Sequence, residues 1–333
     1  MQKILITGGA GFIGSNFVAY ALERWPEAEV VVFDKLTYAG NPANLDSVRD
    51  NPRYSFIKGD VADEAAVRAA ITGCDALINF AAETHVDRSI LFPRDFVVTD
   101  VLGVYALAEA ARDAGVKRYV QVSTDEVYGS VDEGAFDELA PLNPSSPYSA
   151  SKASGDLLAL AYAKTFGVPL VVARSSNNYG PYQYPEKVIP LFVTNALDDK
   201  PLPVYGDGRQ VRDWLYVRDN CDALATILEK GEVGTVYNVG GDFELENIDL
   251  TRRILKILGK SEDLITFVRD RPAHDRRYAL TCERVKALGW RPRTPFDEGL
   301  EATVRWYVER EDWWRPLKDA AFDEYYRRQY GPG

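Results

Sequence analysis

The 333-residue chain is poor in the residues that make covalent or metal staples. It has three cysteines, Cys74, Cys221 and Cys282, with no C-x-x-C pair among them. An odd, scattered set of thiols argues against a disulfide framework and suits a reducing compartment. Two histidines, His85 and His274, stand far apart without H-E-x-x-H or zinc-finger spacing, so no metal site is expected. No apolar run approaches the roughly 18 residues of a membrane span. Positive charge is in deficit too: 39 Lys and Arg against 50 Asp and Glu leave a formal net charge of −11. That balance disfavours nucleic acid or an anionic membrane as the main partner, while a local basic pocket for a small anion remains open. The first apolar run, Ile4-Leu5-Ile6, leads straight into a glycine loop, as expected of a cytoplasmic chain without a signal peptide.

What is present alternates. Short apolar, β-rich runs fall at residues 3–7, 29–33, 54–58, 76–80, 118–123 and 169–174. Helical patterns lie between several of them, at 11–24, 64–71, 96–114 and 148–166. Strands alternating with helices imply crossover units and a parallel sheet covered on both faces. The expected fold is therefore α/β, a doubly wound parallel (Rossmann) sheet. After about Ser175 the rhythm breaks, with Pro181, Pro185, Pro190, Pro201 and Pro203 and glycines at Gly206, Gly208, Gly240 and Gly241. Such punctuation suits loops and short elements. We therefore expect a nucleotide-binding domain over residues 1–174, to which about 214–240 returns, and a smaller α/β substrate-binding domain over 175–333. Helical patterns resume at 218–229, 248–258 and 300–310. The tail, 313–330, is expected to be a helix packing Trp and Tyr inward while its arginines reach out to water.

Two constellations carry chemistry. Thr7-Gly8-Gly9-Ala10-Gly11-Phe12-Ile13-Gly14 lies between the first strand and the first helix and satisfies G-x-x-G-x-x-G at Gly8, Gly11 and Gly14. Glycines let the backbone turn tightly and approach a pyrophosphate at the helix N-terminus. Asp34, twenty residues after Gly14, ends the second strand, where a carboxylate binds a ribose 2′-hydroxyl and repels a 2′-phosphate. NAD is thus preferred over NADP. Asp60-Val61 after the third strand reads equally as an adenine contact or as a helix cap.

The second constellation is Tyr148-Ser149-Ala150-Ser151-Lys152, which puts Tyr and Lys on one face of a helix. A tyrosine with an ordinary pKa of about 10 is a poor base. Lys152 and a nicotinamide cation would both favour its phenolate. Upstream, Ser123-Thr124-Asp125-Glu126-Val127-Tyr128-Gly129 ends a strand, where ligands of such sheets sit. Two adjacent carboxylates there divide naturally into one acid and one base, although a polar capping turn has the same composition.

Together these residues resemble the extended short-chain dehydrogenase/reductase superfamily and, more closely, its dTDP-glucose 4,6-dehydratase family. The resemblance runs through TGGAGFIGS (7–15), LTYAGN (36–41), AAETHVDRSI (81–90), STDEVYG (123–129), YSASK (148–152), SSNNYGPYQYPEKVIPLF (175–192), VYGDG (204–208), RDWLYV (212–217) and RPAHDRRYA (271–279). It implies an internal redox cycle with a recycled NAD. Tyr148, helped by Thr124 and Lys152, would promote oxidation of the sugar at C4. Glu126 would then take the C5 proton, Asp125 would protonate the departing C6 hydroxyl, and hydride would return to C6. NAD would lie against Gly8, Gly11, Phe12, Ile13, Gly14, Asp34, Lys35, Thr37, Asp60, Val61, Ala81, Ala82, Thr99, Tyr148, Lys152 and Asn177.

The nucleotide sugar would meet Glu83, Thr124 and Asn177 at the hexose, and Arg212, Asn247, Arg271 and His274 at the diphosphate and nucleoside. Glu186 and Lys187 would lie near the substrate, or form an everyday pair on a surface helix. Leu202, Pro203 and Tyr205 would wall a thymine pocket, or belong to the core. The family's helices over 96–114 and 148–166 imply a homodimer, or pack on the sheet of one chain. Three positions depart from the family: Asp100 replaces Asn, Val104 replaces Thr and Ala273 replaces Gly, and Asp100 is expected to disturb a hydrogen bond near the cofactor. Rival readings are another sugar-nucleotide enzyme, such as a 4-epimerase or a UDP-, CDP- or GDP-hexose dehydratase, and a non-catalytic NAD-binding regulator. A cell-wall rhamnose route and a secondary-metabolite deoxysugar route would need the same enzyme.

Overall fold

The structure, a computed structural model, describes residues 1–271 and 274–330. Its strands are β1 (Lys3–Thr7), β2 (Glu29–Asp34), β3 (Tyr54–Lys58), β4 (Ala76–Asn79), β5 (Arg118–Thr124), β6 (Leu170–Ser175), β7 (Asn177–Tyr179), β8 (Leu202–Tyr205), β9 (Val211–Tyr216), β10 (Val236–Val239), β11 (Glu244–Glu246) and β12 (Ile265–Val268). The helices are α1 (Phe12–Arg24), α2 (Glu64–Ala70), α3 (Val86–Leu91), α4 (Pro93–Val97), α5 (Gly103–Ala114), α6 (Pro147–Phe166), α7 (Val188–Leu197), α8 (Val217–Lys230), α9 (Asn247–Leu258), α10 (Glu283–Ala287), α11 (Phe296–Glu309), α12 (Glu311–Trp314) and α13 (Ala320–Tyr330). Among these, no helix is long and apolar enough to cross a membrane.

Seven strands form one parallel sheet in the order β10-β6-β5-β4-β1-β2-β3. Its central strands are apolar on both faces because helices cover both. Ile4, Ile6, Val30 and Val32 pack on the α1 and α8 side. Leu5, Val31, Leu77 and Tyr119 pack on the α5 and α6 side. This is the doubly wound sheet expected from the sequence, and β10 returns to its edge beside β6. Two small sheets, β11-β9-β7 and β12-β8, pack with α7, α9 and α11 around a separate core that includes Trp214, Tyr307, Trp313 and Trp314.

Two local departures matter for the site. The helix expected over 96–114 is continuous in direction but winds as a π-turn over Val98–Leu102. Single π-turns in α-helices cluster at functional sites, and this one carries Thr99 and Asp100. The tail is not one helix: α12 ends in a 3-10 turn, Arg315–Leu317, before α13 begins. Pro316 explains the break, since it lacks an N–H for the ladder.

A buried ion pair joins the sheet to the turn after β5. Arg174 of β6 donates to Asp156 of α6 at 2.8 Å, and both side chains are at most 3% exposed. The same guanidinium donates to the Tyr128 hydroxyl at 2.8 Å, and that hydroxyl donates to Asn238 of β10 at 2.8 Å. Removing one partner of such a pair strands a charge in low dielectric. Asp156→Ala should therefore cost about 3–5 kcal/mol of stability in urea unfolding. A loss below about 1 kcal/mol, the scale of a surface pair, would contradict the network's role.

Candidate active site

The strand order reverses between β1 and β4, and crevices at such switch points, beyond the carboxyl ends of the strands, bind ligands in open α/β sheets. All sixteen residues expected at the cofactor line a single cavity there. The glycine loop leaves no room for side chains. Gly8 has φ +69, and a Cβ on it would stand 2.5 Å from the Ala81 nitrogen; a Cβ on Gly14 would stand 2.2 Å from the Gly8 oxygen. This bare backbone, opening onto the cavity at the start of α1, fits a dinucleotide pyrophosphate.

Asp34 is buried at the cavity edge and accepts from the Ala10 N–H at 2.9 Å and the Leu36 N–H at 2.8 Å. It holds its own turn while keeping lone pairs for a ribose hydroxyl. Burial raises its pKa against the pull of those two N–H groups. Asp60 pairs with Lys35 at 2.6 Å and accepts from the Ala62 N–H at 3.0 Å. It does not cap α2, because Asp63 does so by accepting from Ala65 and Ala66.

β5 delivers the proposed acid and base. Past its last residue, Thr124, the chain turns through one 3-10 turn, Asp125–Tyr128. The Thr124 hydroxyl accepts from the Glu126 N–H at 3.3 Å and donates to Asp125 Oδ1 at 3.1 Å. Asp125 Oδ2 is buried without a partner. Burial first, then Glu126 and Asp213, push the Asp125 carboxyl up to about 8, so it is protonated at neutral pH. Burial raises Glu126 too, but Arg271, Arg212 and Lys187 draw it back toward the carboxylate. The two groups thus differ in surroundings: cations face Glu126, whereas carboxylates crowd Asp125.

α6 begins with a capping box. The Ser146 side chain accepts from the Ser149 N–H, the Ser149 side chain returns to the Ser146 N–H, and Pro147 occupies the first turn. This cap fixes the turn that carries Tyr148. Lys152, one turn on, donates to the Val122 carbonyl at 2.8 Å, tying α6 to β5. Burial, then Glu126 and Asp100, hold the Tyr148 phenol well above its ordinary range, with Thr124 opposing. Burial and carboxylates dominate the phenol in the protein alone, whereas the expected lowering joins Lys152 to a nicotinamide cation that only bound cofactor supplies.

Asp100 fits rather than disturbs. One oxygen accepts from the Ser151 hydroxyl at 2.6 Å and the other from the Glu83 N–H at 3.1 Å, so a carboxylate serves wherever an acceptor is needed. Burial raises it to about 6, and burial followed by Asp100 raises Glu83 to about 7. Val104 is buried in the helix–sheet core. The Ala273 departure lies outside the described residues.

A second cavity continues from the first and shares Glu126, Asn177, Glu186 and Lys187 with it. Pro203, Tyr205, Arg212, Asn247, Arg271 and His274 line it, as expected for the nucleotide end. Leu202 does not. It is wholly buried in the core beneath β8. The surface-helix alternative for Glu186 is likewise excluded. Glu186 is buried, pairs with Arg88 at 2.8 Å, accepts from the Tyr38 hydroxyl at 2.7 Å and precedes α7. Burial and Arg271 push His274 down to about 4, so its ring is neutral although it touches Asp270 at 2.5 Å. Sequence reasoning missed Asp87, which faces Arg271 at 3.6 Å, and Tyr330, which reaches the cavity from the far end of the chain. Asp87 sits inside a quoted motif and was legible there; Tyr330 carries no local signal.

The sequence model of the family described as GDP-mannose 4,6 dehydratase matches residues 5–303. A Streptomyces niveus dTDP-glucose 4,6-dehydratase is 50% identical over 322 residues, covering 95% of this chain and 96% of that protein. The low-salt glycan biosynthesis protein Agl12 of Haloferax volcanii is 50% identical over 307 residues, covering 92% of this chain and 99% of that protein. Among solved structures, the Streptomyces venezuelae dTDP-glucose 4,6-dehydratase DesIV with NAD and TYD bound has a TM-score of 0.93 at 50% identity. It covers 95% of this chain and 100% of its own.

The Asp125 environment has a measurable consequence. With a folded pKa of about 8 against the ordinary 3.8, folded protein keeps a proton that unfolded chain has released. Stability associated with this group is full below about pH 4 and is lost as pH rises toward 8. Asp125→Asn removes the titration, so the melting temperature of the variant relative to the parent should rise between pH 5 and pH 8. An equal difference at both pH values would show that Asp125 is ionised in the folded protein.

Proposed function

Because the chain belongs to the dTDP-glucose 4,6-dehydratase family of extended short-chain dehydrogenases/reductases, we propose that it converts dTDP-glucose to dTDP-4-keto-6-deoxyglucose. The observation that carries this reading is the buried, proton-bearing Asp125 beside Glu126, with Tyr148 in the same cavity. Bound NAD supplies the redox chemistry, taking hydride from the sugar and giving it back. Residues 1–174, with the returning β10 segment, form the domain that holds it. The later residues mainly hold the nucleotide sugar.

Tyr148 takes the proton of the sugar's C4 hydroxyl, with the Thr124 hydroxyl orienting the phenol. Lys152, anchored on the Val122 carbonyl, holds its ammonium beside the cofactor's ribose. Once C4 is a ketone the C5 proton is acidic, and Glu126 removes it. Asp125 gives its proton to the leaving C6 hydroxyl and water departs; hydride returned from the cofactor would then reach C6 while Glu126 gives its proton back to C5. General acid or base help of this kind is worth roughly 10²–10⁴ in rate, or about 3–5 kcal/mol of barrier. Arg212 and Arg271 supply paired donors for the diphosphate. An epimerase needs only Tyr148 and Lys152 and leaves Asp125 and Glu126 without work. A binding-only regulator leaves all of them idle.

We place it in the cytoplasm as a homodimer, and its 4-keto-6-deoxy product suits a cell-wall rhamnose route or a secondary-metabolite deoxysugar route alike. The π-turn, α5 and α6 supply the dimer face, where Leu102, Tyr105 and Leu157 are exposed.

Incubation with dTDP-, UDP-, CDP- and GDP-hexoses, followed by mass spectrometry, tests the assignment. dTDP-glucose should lose one water without stoichiometric added NAD; water loss from a different nucleotide sugar alone would contradict it. Glu126→Gln should slow elimination by roughly 10²–10⁴ while reduced nicotinamide accumulates. Unimpaired elimination would remove Glu126 from its role.

A further inference from the structure

Asp100 stands just behind the cofactor cavity. It is 1% exposed, and its neighbour Thr99 lines that cavity while Asp100 does not. The π-turn over Val98–Leu102 carries it against the start of α6. There Tyr148, Ser151, Lys152 and Gly155 lie at i, i+3, i+4 and i+7, one face of the helix. Gly155 lets the two segments meet, because a Cβ on it would stand 2.6 Å from the Asp100 carbonyl oxygen. Ser151 makes the contact polar: its hydroxyl donates to Asp100 Oδ2 at 2.6 Å and lies 2.8 Å from the Tyr148 carbonyl. The other carboxyl oxygen reaches a third segment, accepting from the Glu83 N–H beyond β4 at 3.1 Å.

A neutral amide could make every one of these bonds. An Asn at this position would accept from the Glu83 N–H through its oxygen and donate to Ser151 through its nitrogen. The Ser151 proton would then serve the Tyr148 carbonyl. What the carboxylate adds is a buried charge on the face that carries Tyr148 and Lys152. Burial raises Asp100 to about 6, with Lys152 and the Ser151 hydroxyl drawing it back, so it is ionised at neutral pH. Glu83, raised by burial and by Asp100 itself, stands on its other side. The Tyr148 phenol is faced by Glu126 and Asp125 of the turn after β5, by Thr124 before that turn, and by Asp100. The Phe96 ring of α4 closes the remaining side at 6.1 Å between centroids. Glu126 and Asp125 serve the elimination, which leaves Asp100 as the anion there without a chemical step of its own.

We infer that Asp100 is a positioning residue for the oxidation step: it ties the Glu83 segment to α6, and its charge sets the pH range over which Tyr148 acts as base. The step it tunes rests on the nucleotide-sugar reading above, whereas the charge effect belongs to this chain's own residues. Its sign follows from the arrangement. A nearby anion opposes ionisation of the phenol, so Asp100 moves the working range of Tyr148 upward. In return, Tyr148 has a higher proton affinity and is the stronger base once it ionises.

The test compares full-length parent, Asp100→Asn, Asp100→Ala and Ser151→Ala with NAD bound. Carbon-13 NMR of ζ-labelled tyrosine, with Tyr148 assigned by its loss in Tyr148→Phe, reads phenol ionisation without any substrate. In Asp100→Asn the phenol should titrate about one pH unit lower, the scale of one unit charge inside a protein. The acid limb of kcat for dTDP-glucose should move with it, while KM stays close to the parent's because the amide still holds the Glu83 N–H. Asp100→Ala frees that N–H and should raise KM as well; an unchanged KM there would remove the tie to Glu83. Ser151→Ala breaks a hydrogen bond but keeps the charge, so it should not move the phenol downward. Equal titration in parent and Asp100→Asn, or an equal downward shift in Ser151→Ala, would overturn the inference. A shifted phenol in protein that dehydrates no dTDP-glucose would uphold the charge effect and overturn the nucleotide-sugar reading instead.

Discussion

Two carboxyl groups that follow one another in the chain are held in a single 3-10 turn with little access to water, and that constraint organises the site. Adjacent carboxylates in such a place cannot both ionise without a large desolvation and repulsion cost. Burial raises both, and their charged neighbours differ. Asp125 points an unpartnered oxygen into dry surroundings and keeps its proton, while Glu126 faces Arg271, Arg212 and Lys187 across the cavity. One short turn therefore presents an acid and a base side by side, as elimination of water requires and simple oxidation does not.

The scaffold exists to hold that turn still. Thr124 bonds both acidic residues, and Tyr128 at the other end of the turn is gripped by Arg174 and Asn238. β5 carries the turn to the carboxyl end of the sheet, one strand removed from β1 and its glycine loop, and the capped start of α6 brings Tyr148 into the same cavity. The π-turn before α5 aims Asp100 at Ser151 in the same stretch of α6. Cofactor and substrate cavities meet at Glu126 and Asn177, so chemistry occurs where the two small-molecule sites join.

Much of this was legible in the residues. Strands buried on both faces must be apolar throughout, which is why Val30-Val31-Val32-Phe33 and its counterparts announced the sheet. The glycine spacing and the Tyr148–Lys152 spacing are local, so the loop and the helix face could be read before any contact was known. What local spacing cannot carry is partnership across the chain. Glu186 read either as a substrate neighbour or as an ordinary helix-surface residue until Arg88 and Tyr38, about a hundred or more positions away, closed on it. Leu202 and Pro203 were indistinguishable as pocket or core because only tertiary packing decides which of them the cavity reaches. Asp100 looked like a defect because its two donors, Ser151 and the Glu83 amide, come from separate segments. The tail was readable as aromatic and amphipathic, but its break at Pro316 and its landing beside Tyr205 depend on tertiary packing.

Carbon-13 NMR titration of carboxyl-labelled protein, with the Asp125 signal assigned by its loss in Asp125→Asn, tests the central claim most directly. The account predicts that Asp125 remains protonated through neutral pH and titrates near 8. An Asp125 signal already ionised near the ordinary carboxylate value of about 4 would contradict the division of the pair into acid and base.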